Sequence, residues 1–260
     1  MEGILRRERL VIAGCLAGMV LLSWYYLYNM ATADMSAMDM SGMDMSGMAM
    51  PDGAAWGLAE LAGLFAMWSV MMVAMMIPSA APMILAFLSV NQQRRKASRP
   101  VVSTSIFALG YITVWTGYSA VAALAQWGLH GAALISASMA LTSPGVMGAV
   151  LIAAGVYQWT PLKRRCLVGC RSPLSFLMSR WREGRWGAWR MGLEHGRYCV
   201  GCCWVLMALL FVTGVMNLAG VAVIAAFVIA EKLVPQGDWF GRATGVALGV
   251  TGVVFVGRSF

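Results

Sequence analysis

Along this chain, apolar residues come in long runs, without the strict alternation of a half-buried strand or the narrow stripe of a surface helix. A helix needs roughly 20 apolar residues to cross a bilayer. Runs of that kind fall at about 10–30, 57–78 with an extension toward 90, 101–128, 139–158, 199–216, 218–234 and 241–257. The fifth and sixth are short and meet at Met216-Asn217, as a tight helical hairpin would. Pro78 and Pro82 sit near the inner end of the second run, where they are expected to kink or end a helix. The pattern predicts an all-α fold, a polytopic transmembrane helix bundle of about seven spans. Its expected organisation is a first transmembrane helix over 1–30, a Met-rich outer loop over 31–56, and a bundle over 57–260 that includes a cytoplasmic loop at 159–198. Within that loop, residues 174–195 mix Trp181, Trp186 and Trp189 with Arg180, Arg182, Arg185 and Arg190. Tryptophan suits the headgroup region and arginine suits anionic lipid, so an interfacial helix on the inner leaflet is expected there.

Composition strengthens the membrane reading. The chain is 60% hydrophobic and 12% charged over 260 residues, against roughly 25% charged in soluble domains. A single soluble core of this size could not hide so much apolar surface, whereas a bilayer is an apolar solvent for whole helices. The net charge of +8 follows topology and does not mark a nucleic-acid surface. Arg6, Arg7 and Arg9 precede the first run, Arg94 to Arg99 follow the second, and the next basic stretch covers Lys163 to Arg197. The positive-inside rule places these in the cytoplasm together with the N-terminus. The 31–56 segment carries Asp34, Asp39, Asp44 and Asp52 with no Lys or Arg, and so faces outward. The expected location is a bacterial inner membrane, multi-pass, with the lipid bilayer as the first partner. Residues 4–30 have a basic start and an apolar centre, but the run is long and no clean cleavage site closes it, so it is read as a retained helix.

Two sulfur-rich patterns supply candidate chemistry. Residues 38–50 read as a repeat of Met-Asp-Met-Ser-Gly ending in Met-Ala-Met, with Met38, Met40, Met43, Met45, Met48 and Met50. Ser, Gly and Asp interrupt every apolar pair, so the tract cannot form a core and is expected to be disordered without a ligand. Thioether sulfur is a soft, neutral ligand that selects Cu(I). The second run continues the theme with Met67, Met71 and Met75 at i, i+4 and i+8, on one side of a helix, with Met72 and Met76 beside them.

The thiols bracket the expected cytoplasmic loop: Cys166-x3-Cys170 at one end, Cys199-x2-Cys202-Cys203 at the other, with His195 four residues before Cys199. The cytoplasm is reducing, so a disulfide framework is not expected. Two close pairs of thiols suggest one metal site closed across the loop, fitted to Cu(I) or to zinc. No catalytic residue stands out. His130 and His195 are the only histidines, which argues against a redox copper enzyme.

Four strings carry a resemblance to a known family. They are Met67-Trp68 through Ala74-Met75-Met76-Ile77-Pro78-Ser79; Tyr157-Gln158-Trp159-Thr160-Pro161-Leu162-Lys163 with Cys166 and Cys170-Arg171-Ser172-Pro173; Gly196 and Cys199 through Gly201-Cys202-Cys203-Trp204 to Met207; and Gly214-Val215-Met216-Asn217 ending at Glu231-Lys232. Over roughly residues 57–235 the chain resembles the bacterial family of predicted metal-binding integral membrane proteins, a domain of unknown function. The resemblance implies a multi-helix membrane protein that binds metal and supplies no reaction. The resulting expectation is a copper-binding inner-membrane protein in copper handling, with a metallochaperone or another membrane subunit as partner and no nucleic acid. The alternatives are a membrane metalloenzyme with an intramembrane copper, and a structural subunit of a membrane complex with a zinc-type cysteine site.

Overall fold

The computed structural model describes residues 2–40, 57–136, 139–234 and 237–259. The elements in chain order are α1 (Glu2–Met40), α2 (Leu58–Lys96), α3 (Thr104–Gly131), α4 (Pro144–Tyr157), α5 (Pro161–Arg171), α6 (Pro173–Arg180), α7 (Gly184–Ala208), α8 (Leu210–Thr213), α9 (Leu218–Leu233) and α10 (Gly237–Gly257). Among the described residues the only extended pairing is an isolated bridge between Ile135 and Leu141. The all-α expectation holds.

Among the described residues, five helices are long and apolar enough to cross a membrane: Arg6–Thr32, Leu58–Lys96, Thr104–Gly131, Gly184–Thr213 and Trp239–Gly257. α4 and α5 reach that standard only together, as a pair bent by 65° at the Gln158–Thr160 break. Thr160 caps α5 by accepting from Lys163 N at 3.3 Å, and Pro161 opens it, so the sequence restarts a helix there. α9 has 16 residues, about 24 Å at 1.5 Å per residue, short of the ~30 Å hydrocarbon core.

α2 departs from expectation. It runs unbroken through Pro78 and Pro82 for 39 residues, about 58 Å. Prolines are tolerated in apolar helices where neighbouring groups satisfy the disturbed backbone. The carbonyls that lose a donor are those of Ala74 and Pro78, four residues before each proline; in the turn between them Ser79 Oγ and the Tyr111 hydroxyl both donate to Met76 O, at 2.9 and 3.3 Å. The start of α2 is fixed by Glu60, whose Oε2 accepts from Gly57 N at 2.8 Å. The backbone of α1 also continues as helix to Met40, past the expected end near residue 30.

The region 174–195 is not one helix. α6 ends at Arg180, and α7 begins at Gly184 and carries Trp186 and Trp189 in the same rod as Cys199 to Cys203. Glycines draw this rod onto α3. A Cβ on Gly192 would overlap Phe107 O, and one on Gly110 would overlap Trp189 O, so the two backbones touch where neither residue has a side chain. α4 and α10 pack in the same way. A Cβ on Gly148 would stand 2.6 Å from Gly252 O, and one on Gly155 would stand 2.6 Å from Gly245 O.

Contacts gather basic segments at one end of the bundle. Arg95 pairs with Glu8 at 2.6 Å and Arg94 with Glu183 at 2.5 Å, while the Arg94 guanidinium lies 4.8 Å from the Trp181 ring centroid. At the opposite end, Trp68 Nε1 donates to the buried Gln126 Oε1 at 2.6 Å, and Gln126 Nε2 donates to Met139 Sδ at 2.8 Å.

Candidate metal centre

The core between these ends is rich in sulfur. Met67, Met71, Met72, Met75 and Met76 of α2 are all buried, as are Cys199, Cys202 and Cys203 of α7. The thiols are placed by helical spacing: residues 199, 202 and 203 fall on one face. Cys202 and Cys203 turn their Sγ atoms back onto Cys199 O, at 3.1 and 2.9 Å. Cys170, Cys202 and Cys203 all place their thiols beside the Cys199 sulfur. Cys170 comes from α5, so the cluster joins the two cysteine pairs, as the sequence suggested. Cys166, half-buried one turn earlier, reaches α7 because Gly201 leaves space: a Cβ there would meet Cys166 Sγ at 2.6 Å.

Two groups outside the sequence-based site set complete the arrangement. Met76 Sδ lies 4.0 Å from Cys203 Sγ, which brings a thioether of α2 against the thiols of α7. Lys232 of α9 is buried, and its Nζ donates to Cys199 Sγ and to Ser79 Oγ, both at 2.9 Å. The Tyr111 hydroxyl stands 3.1 Å from the same sulfur. The cluster is thus a meeting point of α2, α3, α5, α7 and α9. Glu231, the neighbour of Lys232, turns the other way. It pairs with Lys163 at 2.6 Å, both side chains 2% exposed, rather than with Lys232.

The other candidates divide. His195 is buried on α7, stacked with Tyr111 at 5.6 Å and Phe107 at 6.2 Å between ring centroids, and its Nδ1 has no hydrogen-bond partner among the described residues. Met67 and Met71 do not face the thiols. They line a small cavity of ≈10 Å³ with Met30 of α1 and Met216, so four thioethers share one wall. Met38 and Met40 fall in the last turn of the α1 backbone, and Met43, Met45, Met48 and Met50 lie outside the described residues. Met76 was legible as a neighbour of the Met67–Met71–Met75 face and Met216 as part of a resemblance string, but nothing in the local spacing of these two or of Met30 says which helices will meet.

Among the described residues, no three or more His, Cys, Asp and Glu side chains are arranged to hold a metal ion together. The positions around Cys199 that further ligands would need are taken by the Lys232 ammonium and the Tyr111 hydroxyl. Thiols and a thioether packed away from water form a soft donor set, which suits Cu(I) better than a hard divalent cation.

A family model described as PpoB2, copper chaperone, matches residues 65–255. The chain belongs to this family. No curated protein and no solved structure matches it. Every cysteine of the cluster, Met76 and Lys232 fall inside the stretch that the chain shares with this family, and the repeat over 38–50 falls outside it. The family resemblance read over 57–235 is sharpened from metal in general to copper.

Proposed function

We propose that this protein is a bacterial inner-membrane protein that carries Cu(I) on sulfur through the bundle. The observation that carries the reading is the contact of Met76 Sδ with Cys203 Sγ at the edge of the Cys199 cluster. It joins the methionines of α2 to the thiols of α7. Cu(I) captured by the methionines of 38–50 moves to the thioether wall of Met30, Met67, Met71 and Met216, passes along α2, and settles between Cys199 and a neighbouring thiol. A Cu(I) ion on two thiolates leaves one net negative charge, and the Lys232 ammonium stands where it compensates that charge. Cys166 and Cys170, half-buried on α5, are the exit toward a metallochaperone or another membrane subunit. The topology that goes with this reading has the N-terminus and the basic end in the cytoplasm. It takes α9 and the bent α4–α5 pair as the remaining spans of a seven-span bundle, and α6 as an interfacial segment. Cu(I) is cargo here, and no chemical step is required of the chain.

The test is Cu(I) titration of the detergent-solubilised full chain, without oxygen, against a chromophoric Cu(I) chelator. Wild type is expected to withhold Cu(I) from the chelator, and Cys199→Ser to lose that site while keeping its helical circular dichroism. Zinc that co-purifies, resists the chelator and is lost with Cys166→Ser/Cys170→Ser would overturn the copper reading in favour of a structural staple.

A further inference from the structure

α1 and α3 both pack against α2 and leave a crevice between them, floored by α2. Helical spacing builds its three walls. Glu8, Val11, Ile12, Cys15, Leu16 and Met19 form one stripe of α1. Ile84, Leu88, Asn91 and Arg95 form a stripe of α2, and Thr104, Ser105, Ala108, Leu109 and Ile112 one of α3. The crevice consists of two cavities, of ≈400 and ≈300 Å³, that share Ile12 and Thr104. The sulfur chemistry uses none of these residues.

The two cavities differ in character. The wider one lies at the basic end. Its charged lining is Arg7, Arg95 and Glu8, one positive charge in excess. The Glu8 carboxylate is engaged on both oxygens: Arg95 Nη1 donates to Oε1 at 2.6 Å and Gln92 Nε2 to Oε2 at 3.4 Å. Asn91, 3% exposed, is engaged as well: its Nδ2 donates to Val102 O at 2.8 Å, and its Oδ1 accepts from Val102 N at 3.5 Å. That clasp holds the start of α3 at the cavity wall. Ser103 makes no capping bond to α3, so the positive end of a 28-residue helix opens at the same cavity as Arg7.

The narrower cavity is an apolar groove. Ile12, Leu16, Met19, Ile84, Leu109 and Ile112 line it, and its hydroxyl residues, Thr104 and Ser105, sit at the end that meets the basic cavity. It runs from residue 12 to 19 on α1 and from 104 to 112 on α3, about 10–12 Å at 1.5 Å per residue. One leaflet of hydrocarbon is ~15 Å deep, half of the ~30 Å core. Met19 and Leu109 are exposed, so the groove is open along the side that lipid would cover. An acyl chain descending from a headgroup fits this depth and this polarity, whereas a dissolved anion would leave the apolar part unfilled.

We propose that the crevice holds one anionic phospholipid, with its phosphate at Arg7 and the start of α3 and one acyl chain in the groove between α1 and α3. Such a site requires the bundle to lie in a membrane and does not require copper.

The experiment is native mass spectrometry of the full chain in detergent, titrated with phosphatidylglycerol, phosphatidylethanolamine and phosphatidylcholine of the same acyl chains. One phosphatidylglycerol per chain is expected to be retained, about fivefold more tightly than either zwitterionic lipid, the effect of one basic residue at an anionic surface. Arg7→Gln should remove that preference. Arg6→Gln, the same change one residue away and outside the lining, should keep it. Ala108→Phe fills the groove and should abolish retention of one lipid per chain, with helical circular dichroism and Cu(I) binding showing that this variant is folded. No lipid retained, no preference among the three, a preference kept in Arg7→Gln or lost equally in Arg6→Gln, or full retention in a folded Ala108→Phe overturns the proposal. A chain that is monodisperse without detergent overturns the membrane reading, and the lipid site with it.

Discussion

The Lys163–Glu231 pair gives a prediction whose size follows from its geometry. The two charges are 2.6 Å apart and each side chain is 2% exposed. At that distance and an effective dielectric constant of ~20, their attraction is about 6 kcal/mol. Desolvation of both ions offsets much of this, so the pair adds little net stability over an apolar replacement. Breaking it is another matter. Glu231→Gln strands the Lys163 ammonium in the core with the Gln158 carbonyl oxygen as its remaining described partner, and stranding a buried charge costs about 3–5 kcal/mol. For a chain of this size, each kcal/mol moves Tm by about 2–4 °C. Glu231→Gln should therefore unfold about 6–20 °C lower in detergent, followed by circular dichroism. The double variant Lys163→Met/Glu231→Gln should recover most of that loss, because no unpaired charge remains. The two single variants and the double variant form a thermodynamic cycle whose coupling energy reads the pair directly. A Glu231→Gln shift within ~1 kcal/mol of wild type, or a double variant less stable than that single, would refute the reasoning.

Other perturbations separate the site from the scaffold. Met76→Leu is nearly isosteric and should cost less than ~1.5 kcal/mol of stability, yet weaken Cu(I) binding about tenfold in chelator competition; unchanged binding would remove Met76 from the site. Lys232→Met deletes a buried ammonium whose described contacts are a hydroxyl and a sulfur, so thermal stability should hold or rise while Cu(I) retention falls. Loss of stability with retention intact would make Lys232 a structural residue. Gly192→Leu drives a side chain into the Phe107 carbonyl of α3 and should abolish the monodisperse peak in size exclusion. Deleting 34–50 should slow copper accumulation by cells at low external copper and leave the Cu(I) affinity of the purified chain unchanged.

The helical class was legible because apolar runs near bilayer length have few alternative structures. What stayed hidden depended on contacts between helices. The Trp/Arg pattern of 174–195 looked like an independent amphipathic segment, but Gly192 meets Gly110 of α3 and joins its second half to the thiol helix. The prolines of α2 marked a break that does not occur: Met75, Met76, Ile77, Ser79, Ala80 and Met83 around them are buried, and packing of that kind lets an apolar helix continue through proline. In the site, the two cysteine pairs were readable as candidates from their spacing, and the structure brings Cys170 of one pair beside Cys199 of the other. The spacing of Met67, Met71 and Met75 put them on one side of a helix without saying which helix that side would meet. Met67 and Met71 meet Met30 and Met216, while Met76, one position round the helix, meets Cys203. Lys232 was legible only as the end of a string that carries the family resemblance, and nothing in that string says that its ammonium crosses to the thiols of α7.

The directions taken by Glu231 and Lys232 point to how α9 is used. Two adjacent residues with opposite charges, Glu231 and Lys232, diverge from one turn into two buried environments. Glu231 crosses to Lys163 of α5, and Lys232 crosses to Cys199 of α7 and Ser79 of α2. The short α9 therefore ties together, at a single point, the helices that supply the thioether, the isolated cysteine pair and the thiol triplet. An ion added at Cys199 changes the charge that Lys232 faces, one residue from the buried Lys163–Glu231 pair. If α9 carries that change across, Cu(I) affinity in chelator competition should fall in Lys163→Met/Glu231→Gln, and an affinity equal to wild type would show that α9 does not transmit it.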